Sequence, residues 1–114
     1  MPTVQIEQDK WIDFLAGFSS HNQTRSVLVE VESNELGPQR IIDGKPLLAI
    51  EPDLEDENEP MITVVAGDPE GGEPSALTHQ VMNPRTIWVK QDEQGEPEAL
   101  DIETDDGRTI LQFV

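Results

Sequence analysis

The stretch DKWIDFLAGFSSHNQTRSVLVEVE, residues 9–32, contains two hydrophobic periods in succession, and the change between them sets the fold class. Trp11, Phe14, Leu15 and Phe18 recur at i, i+3, i+4 and i+7, which places them on one stripe of a helix. Asp9 stands where a side chain can cap the first turn, and Gly17 with the polar run Ser19 to Asn22 supplies a stop. The spacing therefore predicts a helix over about residues 9–19. Beyond Arg25, Val27, Val29 and Val31 alternate with Leu28, Glu30 and Glu32, the period-2 pattern of a half-buried strand over about 26–32. One amphipathic helix feeding a strand predicts a helix laid against a sheet.

The rest of the chain keeps the shorter period. Strands are expected at about 39–42 and 45–51, joined through Asp43-Gly44 as a hairpin turn, with Leu36-Gly37-Pro38 turning before them. Met61 to Ala66 is a nearly continuous β-branched run, the pattern of a central strand over 61–66. Two further strands, 77–82 and 86–91, flank Asn83-Pro84-Arg85 and read as a hairpin. In that pairing Leu77, His79, Val81, Ile87 and Val89 share one face, and Met82, Thr86, Trp88 and Lys90 the other. Strands at about 99–103 and 108–113 close the series around Thr104-Asp-Asp-Gly107. The segments 52–60, 67–75 and 92–97 are rich in Glu, Asp, Pro and Gly, and much of the acidity sits there, so mobile loops are expected. The sum is one domain over residues 1–114 of the α+β class, mainly antiparallel β. Its expected architecture is one N-terminal helix packed on a small curled sheet or barrel of about 6–8 strands.

Charge is the extreme quantity. Twenty-four acidic residues against seven basic ones give a net charge of −17. A field of that sign repels phosphate backbones and anionic lipid, so neither nucleic acid nor membrane is expected as a partner. It attracts basic proteins, though its simplest reading is a heavily hydrated surface. The chain has no cysteine, which removes disulfides, thiolate metal sites and cysteine nucleophiles. The first residues show neither a basic nor an apolar leader segment, and no apolar run reaches the length of a bilayer, so a cytoplasmic location is expected.

No catalytic pattern emerges. The two histidines, His21 and His79, lie in no metal-ligand spacing, and no nucleophile elbow accompanies them. Gly71-Gly72 lies between Glu70 and Glu73, which repel a phosphate. Asp101, Glu103 and Asp105 match the first ligands of a calcium loop. Asp106, where glycine is needed, and Gln112, where a bidentate carboxylate is needed, break the match. No cofactor and no metal is expected. The one surface composition resembling an interface anchor is a candidate patch of His79, Met82, Arg85 and Trp88, unless the helix covers that face.

The order of features resembles a family of small uncharacterised bacterial and archaeal proteins known only as a domain of unknown function. The likeness rests on Trp11 to Ser19, Leu36-Gly37, Lys45 to Ile50, Leu77 to Ile87 and Asp106 to Phe113. It implies no activity and brings no functional residues with it. The expected function is a non-enzymatic protein-binding or accessory module, with a protein partner or a second copy of the chain. The alternatives are an acidic decoy for a basic nucleic-acid-binding protein, or an enzyme using His79.

Overall fold

The computed structural model describes residues 3–35, 37–55, 58–67 and 76–114. Its elements in chain order are strand β1 (Thr3–Ile6), a 3-10 turn (Gln8–Lys10), helix α1 (Trp11–His21), and strands β2 (Ser26–Ser33) and β3 (Gly37–Asp53). Strands β4 (Met61–Gly67), β5 (Ala76–Met82), β6 (Thr86–Gln91), β7 (Pro97–Thr104) and β8 (Gly107–Phe113) follow. All eight strands form one antiparallel sheet in the order β1-β6-β7-β8-β2-β3-β4-β5, which is not closed into a barrel. This is the expected α+β arrangement, with the helix packed on a curled sheet.

The curl follows from one short connection. Strand β5 ends the sheet at one side and β6 lies next to last at the other, yet only Asn83, Pro84 and Arg85 join them. Three residues span at most about 10 Å, so the sheet must bend until its two ends approach. The Arg85 N–H donates to the Glu103 carbonyl at 2.7 Å and the Asn83 N–H to Pro60 at 2.9 Å, fastening the connection to both halves. The hairpin expected over Leu77–Gln91 is therefore not formed: β5 pairs with β4, and β6 with β1 and β7.

Asp43-Gly44 is a second correction. It is not a hairpin turn but a bulge within the 17-residue strand β3. Along β2, Val27 faces Lys45 while Leu28 faces Asp43, so Gly44 is the extra residue, and its φ of +71° is one that glycine adopts without cost. A further register shift between Val29 and Glu30 inserts Ile41 in the same way. The first part of β3 pairs with β2 and the part from Leu47 onward pairs with β4, so one strand carries the sheet around its bend.

The inner face holds the core. Val27, Val29, Ile42, Leu47, Ile50, Ile62, Val64, Val81, Ile87, Val89, Leu100, Ile102 and Leu111 are buried there with Trp11, Leu15 and Phe18 of α1. Each fully buried side chain of this size contributes about 1.5–3 kcal/mol relative to exposure. The helix is also pinned by polar contacts. Trp11 Nε1 donates to the Ile6 carbonyl at 2.9 Å, and the Ile50 N–H donates to Ser19 Oγ at 3.0 Å. The buried Asn22 side chain donates to the Phe18 carbonyl at 2.8 Å and accepts from Arg25 at 2.8 Å. The Arg25 guanidinium lies 3.9 Å above the Phe113 ring. Asp9 does not cap the helix. The chain is already turning at Gln8–Lys10, with the Lys10 N–H bonded to Glu7, so Asp9 falls inside the 3-10 turn. Gly17 and Ser19 do not stop it either; the helix continues to His21.

Of the expected acidic loops, 56–57 and 68–75 lie outside the described residues. The segment after Gln91 is a turn folded on Asp92, whose Oδ1 accepts the N–H groups of Gln94 and Glu96, both at 2.9 Å.

Two stability measurements test this account. A Cβ on Gly107 would lie 1.8 Å from the Glu32 carbonyl oxygen, a backbone atom of the neighbouring strand. Gly107→Ala is expected to cost about 3 kcal/mol in chemical denaturation, because two paired strands must separate to admit one methyl group. Thr24, between α1 and β2, has φ +74°, a conformation unfavourable to a β-branched residue. Thr24→Asn is expected to raise stability by about 1 kcal/mol in the same assay, since asparagine tolerates that region.

Candidate functional site

Strand alternation leaves the outer face of the sheet facing away from α1, and side chains on neighbouring strands meet in rows across it. One row runs Thr86, Glu103, Arg108, Glu32 through β6, β7, β8 and β2; the next runs Gln5, Trp88, Asp101, Ile110, Glu30 from β1. A third places Lys90 beside Ala99 and Gln112. Trp88, Ala99, Asp101, Glu103, Arg108 and Ile110 line a shallow depression of about 470 Å³. A second, more polar depression shares Glu103 and Arg108 and continues the groove toward Glu32 and Asn34.

Trp88 is held in place. Its Nε1–H donates to Glu103 Oε1 at 2.8 Å, and the Thr86 hydroxyl donates to the same oxygen at 2.8 Å. These two bonds, with the nearby Arg108 charge, hold the Glu103 carboxyl below its ordinary pKa. Arg108 serves three carboxylates at once, Asp101 at 3.2 Å, Glu103 at 3.7 Å and Glu32 at 3.9 Å, so negative charge remains in excess. Asp101 is the discordant member. One carboxylate oxygen accepts from Arg108, while Oδ1 is buried without a hydrogen-bond partner among the described residues. Burial pushes its pKa up; Arg108 works against that shift, and Glu103 and Glu32 add to it.

The four residues of the candidate patch are distributed as follows. Trp88 stands on the outer face, uncovered by the helix, which packs on the inner one. Arg85 lies in the connection before β6 and donates to Asp105 Oδ2 at 2.8 Å, beside the β7–β8 turn. Met82 and His79 are on β5, at the other end of the sheet order; Met82 is exposed. His79 is half-buried on the side of Val81, and burial lowers its pKa. The sequence does not mark Glu103 as the bonded partner of Trp88, nor Asp101 and Arg108 as its neighbours in the groove. Alternation over 99–103 and 108–113 already put them on one face, and the opposed charges of Glu103 and Arg108 were the available signal.

Among the described residues no group of three His, Asp or Glu side chains is placed to hold a metal ion. No helix is long and apolar enough to cross a membrane.

Fold and face together define a small α+β protein whose open antiparallel sheet is covered by a helix on one side and presents a charged, tryptophan-bearing groove on the other. The chain belongs to a family of unknown function (DUF5335), whose model matches residues 2–114. No curated protein and no solved structure gives a match.

The two carboxylates make opposite contributions to stability. Glu103, with a lowered pKa, stabilises the fold above the ordinary carboxylate range, and that gain is lost as pH falls through its folded pKa. Asp101, with a raised pKa, costs stability once ionised, and the cost disappears as pH falls through its folded pKa. Glu103→Gln is thus expected to lower the melting temperature at neutral pH, and Asp101→Asn to raise it. Thermal melts from neutral to acidic pH should show both differences shrinking.

Proposed function

We propose that this chain is a non-enzymatic binding module whose outer sheet face docks a basic segment of a partner protein. The observation that carries the reading is the groove around Trp88, where an anchored indole lies beside three carboxylates sharing one arginine. A half-buried tryptophan next to Ala99 and Ile110 offers apolar contact without any side chain having to be ordered on binding, since Glu103 already fixes the ring. The surplus acid supplies complementarity to lysine or arginine and speeds encounter with a basic surface. The net charge of −17 extends that field over the whole molecule.

A short alternating Arg-Leu peptide is a suitable probe, followed by NMR through the Trp88 indole N–H and the Ala99 and Ile110 resonances. Binding is expected to perturb these signals, to weaken with added salt, and to weaken about tenfold or more in Trp88→Ala. Perturbations confined to other surfaces, or an affinity indifferent to Trp88→Ala in a variant that melts normally, would overturn the reading.

A further inference from the structure

We infer that the β5 edge is a self-association surface, at which a second copy of this chain adds its own β5 in antiparallel pairing. This is independent of the outer-face reading. An edge strand presents unpaired N–H and C=O groups, and proteins that stay monomeric protect such edges with charge, proline, bulges or shortness. Edge strand β1 at the opposite end has four residues and leads directly into Glu7. Within its own seven residues strand β5 has none of these protections; Glu73 and Pro74 stand just before it in the sequence and Pro84 just after. The strand is seven residues long, its register on β4 shows no bulge, and it contains neither proline nor any charged residue. Among the described residues it pairs with β4 alone. Leu77 and Met82 are 45% and 48% exposed, and Thr78 and Gln80 are exposed beside them.

Charge identifies the occupant. Strands β4 and β5, Met-Ile-Thr-Val-Val-Ala-Gly and Ala-Leu-Thr-His-Gln-Val-Met, together carry no charged side chain in a chain of net charge −17. Two such copies repel one another, and within β4 and β5 themselves no carboxylate opposes their contact. The strand is also complementary to itself. A two-fold axis perpendicular to the sheet keeps inner face against inner face and requires residues of the same parity to pair. Centred on His79, it places Leu77 opposite Val81, Thr78 opposite Gln80, and His79 opposite its own copy. Apolar then meets apolar and polar meets polar over these five residues. The product is a sheet continuous through both copies, with the same patch contributed by each, as a two-fold interface demands.

Sedimentation velocity on the full chain up to about 0.3 mM tests this, a range in which weak dimers are populated. A concentration-dependent monomer–dimer equilibrium is expected, and it should tighten as salt screens the repulsion between copies. The register is tested by two double substitutions. Thr78→Glu with Gln80→Glu opposes glutamates twice across the axis and should weaken the dimer about tenfold. Thr78→Lys with Gln80→Glu creates two opposite-charge pairs at unchanged net charge and should strengthen it. Should either variant melt early, hydrogen exchange on the unmodified chain decides instead, with amides of Leu77–Val81 expected to slow as concentration rises. A monomer throughout the range, or a dimer indifferent to both substitutions with unchanged β5 exchange, would overturn the proposal. A β5 edge that takes only another protein's strand would give the first of these results.

Discussion

Strand β3 has two different neighbours, and the rest of the sheet is arranged around that constraint. Its first part lies against β2 and its last against β4, so near Pro46 it must change direction without leaving buried backbone groups unpaired. Leu47 resolves this. Its N–H donates to the Arg25 carbonyl at 2.8 Å and its carbonyl accepts from the Thr24 N–H at 2.7 Å, while β4 pairs along its other side. The segment between α1 and β2 is thereby held to the bend, and the positive φ of Thr24 is the conformational cost of that attachment. Asn22, two residues earlier, closes the end of α1 and holds Arg25 over Phe113. Helix, bend and final strand are thus fixed through one short polar link.

A single helix can shield only one face of such a sheet. The inner face is therefore mainly apolar, whereas the outer one has to be stable in water while β6, β7, β8 and β2 stay paired. Cross-strand charges achieve this, with Arg108 opposite Glu103 on one neighbour and Glu32 on the other. Exposed pairs of this kind contribute little to stability individually. What they fix is geometry: Arg108 and the Thr86 hydroxyl hold Glu103, and Glu103 in turn holds the Trp88 indole. Asp101 Oδ1, which has no hydrogen-bond partner among the described residues, is the one costly atom of this row, since a buried polar atom left unpaired is unfavourable.

The sequence showed which side of each strand faces the core and did not show which strands are neighbours. The stripe Trp11, Leu15, Phe18 and the alternation in β2, β6, β7 and β8 depend on local periodicity, and the buried set follows them. Strand partners depend on distant chain, and there the local pattern misled twice. Asp43-Gly44 has the composition of a hairpin turn, yet glycine with positive φ serves a bulge equally well, and the distinction lies in β2. Asn83-Pro84-Arg85 has the length of a hairpin loop, yet it joins the two ends of a curled sheet. Strand β1, only four residues long, fell below what alternation can mark. The candidate site was half legible for the same reason. The outward parity of Trp88 was local information, and its contact with Glu103 was a matter of partner choice.

Repulsion connects these two surfaces. In a chain this acidic, any association has to begin where the field is weak or where the partner is basic. The fold supplies one place of each kind. The neutral pair β4 and β5 lies at one end of the sheet order, and the groove on β6, β7 and β8 lies toward the other. The three-residue connection that curls the sheet brings these ends near each other, with Arg85 bonded to Asp105 at the junction. A basic segment lying on the groove would neutralise carboxylates on the same molecule whose repulsion opposes pairing at the β5 edge. Occupancy of the face and contact between edges would therefore be coupled through charge, with positive sign, and the coupling would need no change of backbone.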